Sequence, residues 1–189
     1  MFLLYLSFVF TVATGSNHQP PDPFSVQYNT SWHDLKEALN TVDKVYLTNR
    51  NQALGQLDCL FWVKTSLGEK EYHFDQWYRK ARMQTKKIPH VAALFNATRG
   101  PIMKVRYREE SESQARMYTL RFWNSTEKCA IFILDGNTCE QYTWLSKAEK
   151  DKPSCKKAYA TMCGTAILPV FKPSCVRDVS LCIGLPSKC

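Results

Sequence analysis

Alternation of apolar and polar side chains is cleanest at residues 102–108, where Met103, Val105 and Tyr107 interleave with Lys104, Arg106 and Arg108. A period of two predicts a β-strand with one face in a core and the other in water. Segments of similar character, bounded by turn residues, predict further strands at residues 44–48, 57–64, 71–79 and 116–123. Two cysteine-led apolar runs, Cys129-Ala130-Ile131-Phe132-Ile133-Leu134 and Cys139-Glu140-Gln141-Tyr142-Thr143-Trp144, are joined through Asp135-Gly136-Asn137. An Asp-Gly pair between such runs predicts a hairpin, whose two arms bring the strands to seven. On the second arm the same period places Glu140, Tyr142 and Trp144 on one face.

Helical spacing is confined to the flanks of this β-rich stretch. Trp32, Leu35 and Leu39 form one stripe behind Thr30, Ser31 and Asp34, which predicts a short helix over residues 32–40. Residues 145–163 are polar and lysine-rich and predict a second helix that starts near Pro153 and stops at Gly164. Residues 165–171 then supply a last strand. Strands separated by turns, without helical patterns between them, indicate an antiparallel sandwich or barrel. A sandwich fills its inside with side chains, whereas an eight-stranded barrel can hold one small ligand.

Composition places this β-structure outside the cell. Residues 1–15 are uncharged and mostly apolar and end in Ala13-Thr14-Gly15, a pattern expected of a secretory signal peptide. A membrane span needs roughly 20 apolar residues, more than this run provides. The expected mature chain is therefore residues 16–189, one exported domain without a membrane span and expected to be monomeric. Eight cysteines fit a disulfide framework in an oxidising compartment. Three sequons, at Asn29, Asn96 and Asn124, predict surface glycosylation. Residues 17–23 carry three prolines and read as an irregular leader, and residues 172–189 carry three cysteines and read as a tail stapled to the body.

The net charge of +8 is unevenly placed. Between Gln76 and Arg108 stand nine basic residues, among them Arg79, Arg106 and Arg108, and no acidic one. Such a band suits an anionic partner such as a lipid carboxylate, or a solvated face that keeps the protein in solution. Nucleic acid is not an expected partner, because no nucleic-acid-binding motif accompanies the charge. No nucleophile elbow or His-Glu-x-x-His spacing occurs, and His18, His33, His73 and His90 are scattered singly. The sequence therefore predicts a binding protein with no catalytic residues, no metal site and no cofactor.

In order along the chain, Trp32 in a short helix, Tyr46-Leu47 leading to Asn49-Arg50-Asn51, Cys59 opening an apolar strand, the paired strands at Cys129 and Cys139, and a cysteine-bearing late helix resemble the salivary lipocalins of ticks, whose best-known members bind histamine. The resemblance implies an all-β fold: an eight-stranded antiparallel lipocalin barrel with a short N-terminal helix and a C-terminal helix packed outside. It also implies a small host mediator as ligand, captured in saliva at the feeding site as a means of evading host defence. Amine-binding members carry Cys-Asp-aliphatic and, after a gap, Glu-Leu followed by Trp or Tyr. Here Cys129-Ala130-Ile131 and Glu140-Gln141-Tyr142 occupy those places, so Ala130 stands where the signature has an acid. The resemblance further implies disulfides joining Cys129 to Cys155, and Cys59 to Cys182 or Cys175. By count alone, eight cysteines allow roughly a hundred pairings.

Weighed as chemistry, a protonated amine such as histamine or serotonin beside Glu140, with Tyr142, Trp144, Trp123 and Tyr107 around it, gains charge-assisted hydrogen bonding and cation–π attraction. Loss of the signature's acid at Ala130 removes about 1.5–3 kcal/mol unless Asp135, Asp75 or Asp43 substitutes. The competing ligand is a fatty acid or eicosanoid whose carboxylate meets Arg106, Arg108 or Arg79. A third class is an effector that engages a host protein, such as a complement component, through loops on the barrel scaffold. The amine stands slightly ahead because its motif is the one in place.

Overall fold

A computed structural model of the chain describes residues 22, 25, 29–80 and 84–177. The expected signal peptide, nearly all of the leader, and Cys182 and Cys189 of the tail lie outside the described residues. Helix α1 (Trp32–Leu39) precedes eight strands, β1 (Val45–Arg50), β2 (Leu57–Leu67), β3 (Glu71–Lys80), β4 (Gln84–Phe95), β5 (Ile102–Tyr107), β6 (Arg116–Asn124), β7 (Cys129–Leu134) and β8 (Thr138–Trp144). Helix α2 (Pro153–Cys163), the short β9 (Leu168–Pro169) and α3 (Ser174–Arg177) follow. Neighbouring strands pair antiparallel in chain order, and β1 pairs with both β8 and β2, so the sheet closes into an eight-stranded barrel. The short β9 pairs along β1.

Strand β4 is the one barrel strand the pattern did not predict. His90, Ala92 and Leu94 are buried on its inner side, while Lys86 and Phe95 are exposed. Pro89 and two alanines, all poor strand formers, hide the alternation within the basic band.

Helix α1 begins with a capping box in which the Asp34 amide donates to Ser31 Oγ at 3.2 Å and the Ser31 amide donates to Asp34 Oδ2 at 2.7 Å. Its predicted stripe faces the barrel: Leu35 and Leu39 are buried in the main core, with Trp32 packed at the edge. This helix closes one end of the barrel. Helix α2 lies outside, over β7 and β8, where Tyr159 and Met162 meet Ile131 and Ile133. The first arm, β7, therefore reads as continuously apolar because both its faces are covered, the inner by the barrel core and the outer by α2.

Disulfides join Cys59 to Cys175, Cys129 to Cys155 and Cys139 to Cys163. The second is the pair the resemblance implied, and the first decides between the two partners expected for Cys59, in favour of Cys175 and against Cys182. Among the described residues no helix is long and apolar enough to cross a membrane.

Candidate ligand site in the barrel

Glu140 and Tyr142 point into the barrel, as the period of two predicts, and are 3% and 2% exposed. Their neighbours come from several strands. The Tyr142 hydroxyl donates to Glu140 Oε2 at 2.7 Å. Trp62 of β2 stacks on the Tyr142 ring with centroids 4.0 Å apart, and Phe132 and Tyr118 complete an aromatic wall. The Trp62 indole N–H donates to Gln76 Oε1 at 3.3 Å, which fixes the ring. This is a carboxylate held in an aromatic box.

The carboxylate already has a cation. Arg50 Nε lies 2.7 Å from Glu140 Oε1, with the two side chains 12% and 5% exposed. Burial raises the Glu140 carboxyl above its ordinary range, opposed by the Arg50 charge and by the Tyr142 hydroxyl. Burial, together with the adjacent Glu140, pushes the Tyr142 phenol far above its usual value, so it remains a donor.

Arg50 reaches this position through an irregularity of the backbone. The register of β1 against β8 shifts between Leu47 and Asn49. Thr48 and Asn49 both turn outward, the Thr48 hydroxyl donating to the Gln141 carbonyl at 3.0 Å and Asn49 Nδ2 to Gln141 Oε1 at 3.1 Å. The bulge thus spends one residue and returns Arg50 to the inside. A strict period of two from Leu47 assigns Arg50 to the outer face, which is why sequence reasoning missed it.

The other expected residues lie elsewhere. Trp144 is four residues beyond Glu140, about 13 Å along the strand, and packs on Trp123 with centroids 5.7 Å apart at the α1 end. Trp123 is committed to α1, its indole N–H donating to Glu37 Oε2 at 2.8 Å. Tyr107 stands at the opposite rim, 43% exposed, edge-on to the buried His90. None of the acids considered as substitutes for the one missing at Ala130 enters the aromatic box: Asp135 accepts from the Met117 amide, Asp75 pairs with Lys87, and Asp43 lies in the turn before β1. Two of the three guanidinium groups considered for a carboxylate ligand are also engaged, and the third, Arg108, is exposed. Arg79 is paired to Asp58 at 2.8 and 2.9 Å, and Arg106 donates to the carbonyls of Tyr107, Arg108 and Glu110. Of the sequon asparagines, Asn29 and Asn96 are exposed, and Asn124 is half-buried with Oδ1 accepting from the Thr126 and Glu127 amides.

The α1 end of the barrel interior is tightly packed. Between α1 and the box, beside Ala130, Trp144 and Trp123, the interior leaves about 10 Å³, room for about one water. The reason is the side-chain choice: Trp62, Tyr72, Phe74, Phe132 and Tyr142 are all nearly or fully buried, and their rings crowd this end of the barrel. What the arrangement can do chemically is exchange one cation for another at Glu140.

The fold agrees with comparisons to known proteins. The family model described as tick histamine binding protein matches residues 21–177. A search of curated proteins gives no match. Among solved structures, the serotonin complex of AM182 superposes with a TM-score of 0.60 at 14% identity, covering 75% of this chain and 91% of that one. Japanin from Rhipicephalus appendiculatus, bound to cholesterol, superposes with a TM-score of 0.54 at 11% identity, covering 73% of this chain and 98% of that one. With the model spanning most of its length, the chain belongs to the tick histamine-binding protein family, on a lipocalin-type barrel.

Proposed function

We propose that this protein is a secreted, glycosylated, monomeric scavenger that captures a biogenic amine such as histamine or serotonin at the tick's feeding site, stoichiometrically and without turnover. In this reading residues 1–15 are a signal peptide and residues 16–189 one exported domain. The observation that carries the proposal is the buried Glu140 carboxylate, hydrogen-bonded by Tyr142 and walled by Trp62. A protonated amine with an aromatic ring matches each part: its ammonium meets the carboxylate, and its ring continues the Trp62–Tyr142 stack. Membership of a histamine-binding family supports the same class of ligand. Three disulfides suit the oxidising extracellular space.

The lipid alternative has less support, because Arg79 and Arg106 are engaged with partners of their own and Arg108, exposed, lies outside the aromatic box. A host-protein effector has its best surface on the outside of β4 and β5, where exposed Phe95 lies under Lys104. Titration separates the three. Serotonin or histamine added to the purified protein is expected to quench Trp62 emission, and Glu140→Gln is expected to weaken that binding by about 10- to 100-fold. Fatty acid or sterol extracted from the native protein, with no response to either amine, would overturn the proposal in favour of a lipid. A host protein bound with no response to amine or lipid would overturn it in favour of an effector.

A further inference from the structure

We infer that Arg50 is a built-in competitor for the ligand's cation: it occupies the amine position at Glu140, and capture proceeds by displacing its guanidinium toward solvent. This rests on the amine reading of the same site and adds the residue that sets its selectivity.

Three observations carry it. First, the contact is the one an amine would make, a cationic nitrogen 2.7 Å from Glu140 Oε1 beside the phenol of Tyr142. Second, both carboxylate oxygens are already taken. Oε1 meets Arg50 and Oε2 accepts from the Tyr142 hydroxyl, so an arriving ammonium must take the place that the guanidinium gives up. Third, the two partners differ in their route to water. Arg50 is the last residue of β1, still 12% exposed at its side chain, and the following turn is exposed at Gln52, Ala53, Gly55 and Gln56. Glu140, opposite Arg50 in register, has the shorter side chain, which is 5% exposed, and is held by the Tyr142 hydroxyl. A long, flexible arginine at a strand end can swing out and recover its hydration, while the acid stays.

Selectivity follows from charge balance. A ligand that brings its own cation replaces Arg50 without leaving Glu140 unpaired in the core. A neutral ring or a carboxylate strands the acid, and is rejected even where its shape fits. The apparent affinity of the natural chain is lowered by the fraction of time Arg50 is away from Glu140. Replacing Arg50 removes that competition.

The test compares serotonin with 5-hydroxyindole, which lacks the ammonium group, by isothermal titration of the natural chain, Arg50→Ala and Arg50→Gln. Serotonin is expected to bind both variants about 10- to 100-fold more tightly than the natural chain, with 5-hydroxyindole weak throughout. Methylguanidinium is expected to compete with serotonin in Arg50→Ala, which a merely structural role for Arg50 does not predict. Arg50→Gln keeps a hydrogen-bond donor near Glu140 and serves where the alanine variant does not fold. Serotonin binding that depends on Glu140 but is unchanged or weaker in a folded Arg50 variant overturns the inference and leaves the amine function standing. Absence of serotonin and histamine binding in the natural chain and in both folded variants overturns the amine function, and the inference with it.

Discussion

On its outer side the β7–β8 hairpin meets α2 through Ile131, Ile133, Tyr159 and Met162, with disulfides from Cys129 to Cys155 and from Cys139 to Cys163. On its inner side the same two strands present Phe132, Tyr142 and Glu140, the last paired with Arg50 of β1. The outer face is apolar where it meets α2, has its polar groups at Gln141 and Thr143 hydrogen-bonded to β1, and is covalently clamped. The inner face holds two charges in a low-dielectric core, an arrangement that contributes little net stability and often costs some. The contrast assigns stability to the outside of the hairpin and selectivity to the inside. A barrel clamped from without can carry a polar contact within that an unclamped one would lose to solvent.

The largest effect tests the outer face. Replacing Cys129 and Cys155 by Ser, or Cys139 and Cys163 by Ser, opens loops with sequence separations of 26 and 24. Each change is expected to cost about 3.5 kcal/mol and both together about 7 kcal/mol, a large share of a domain's total stability. Guanidinium denaturation measures it. A loss under about 1 kcal/mol for the quadruple change would show that α2 is held by packing alone and that the clamp is incidental.

The inner face is expected to respond asymmetrically. Arg50→Ala leaves Glu140 buried without its cation and is expected to cost about 3–5 kcal/mol, whereas Glu140→Gln costs about 1–2 kcal/mol because Arg50 can turn to water. The pH dependence sharpens this. The Glu140 carboxyl is raised by burial, so the folded state holds its proton more tightly than the unfolded chain does. Stability from that group is present below the ordinary glutamate range and is lost as pH rises through the raised value. The loss is expected to be larger in Arg50→Ala than in the natural chain, and equal slopes in the two proteins would remove Arg50 as the partner of Glu140.

How much of this was legible in the sequence follows from which features are local. The alternation at Met103, Val105 and Tyr107 and the inward pair Glu140 and Tyr142 depend only on strand parity, and both are found in the structure. Arg50 depends on a bulge between Leu47 and Asn49 that no residue type announces. Strand β4 was hidden because Pro89 and two alanines carry little β signal, although they sit in regular register with β3 and β5. The close packing at the α1 end was illegible for another reason. Whether the rings of Trp62, Tyr142 and Phe132 leave a cavity depends on how side chains from different strands meet, and strand parity says only that all three point inward.

A smaller effect lies near the barrel rim. His90 is buried between Phe74 and Tyr107, with Nδ1 2.9 Å from the Ile88 carbonyl, and burial holds its pKa below the ordinary value. The unfolded chain therefore binds the proton more readily. Stability from this group is present above the ordinary histidine range, near pH 6.5, and is lost as pH falls from there toward the depressed value. Thermal melts between pH 7.5 and 5 are expected to show this decline in the natural chain and less of it in His90→Phe. An identical decline in both would place its source elsewhere.

The smallest effect is at the α1 end, where the Lys128 ammonium lies 4.4 Å from the centroid of the Trp144 ring. Removing it by Lys128→Gln is expected to cost about 0.5–1 kcal/mol. The same residue has φ of 50°, in the left-handed region that a lysine enters at a cost and an asparagine tolerates. Lys128→Asn therefore loses the cation but relaxes the backbone, and its net change is expected to be smaller than that of Lys128→Gln. The two urea midpoints should fall in that order. The reverse order would mean that the turn before β7 carries no backbone strain and that the ammonium over Trp144 accounts for the whole contribution of this residue.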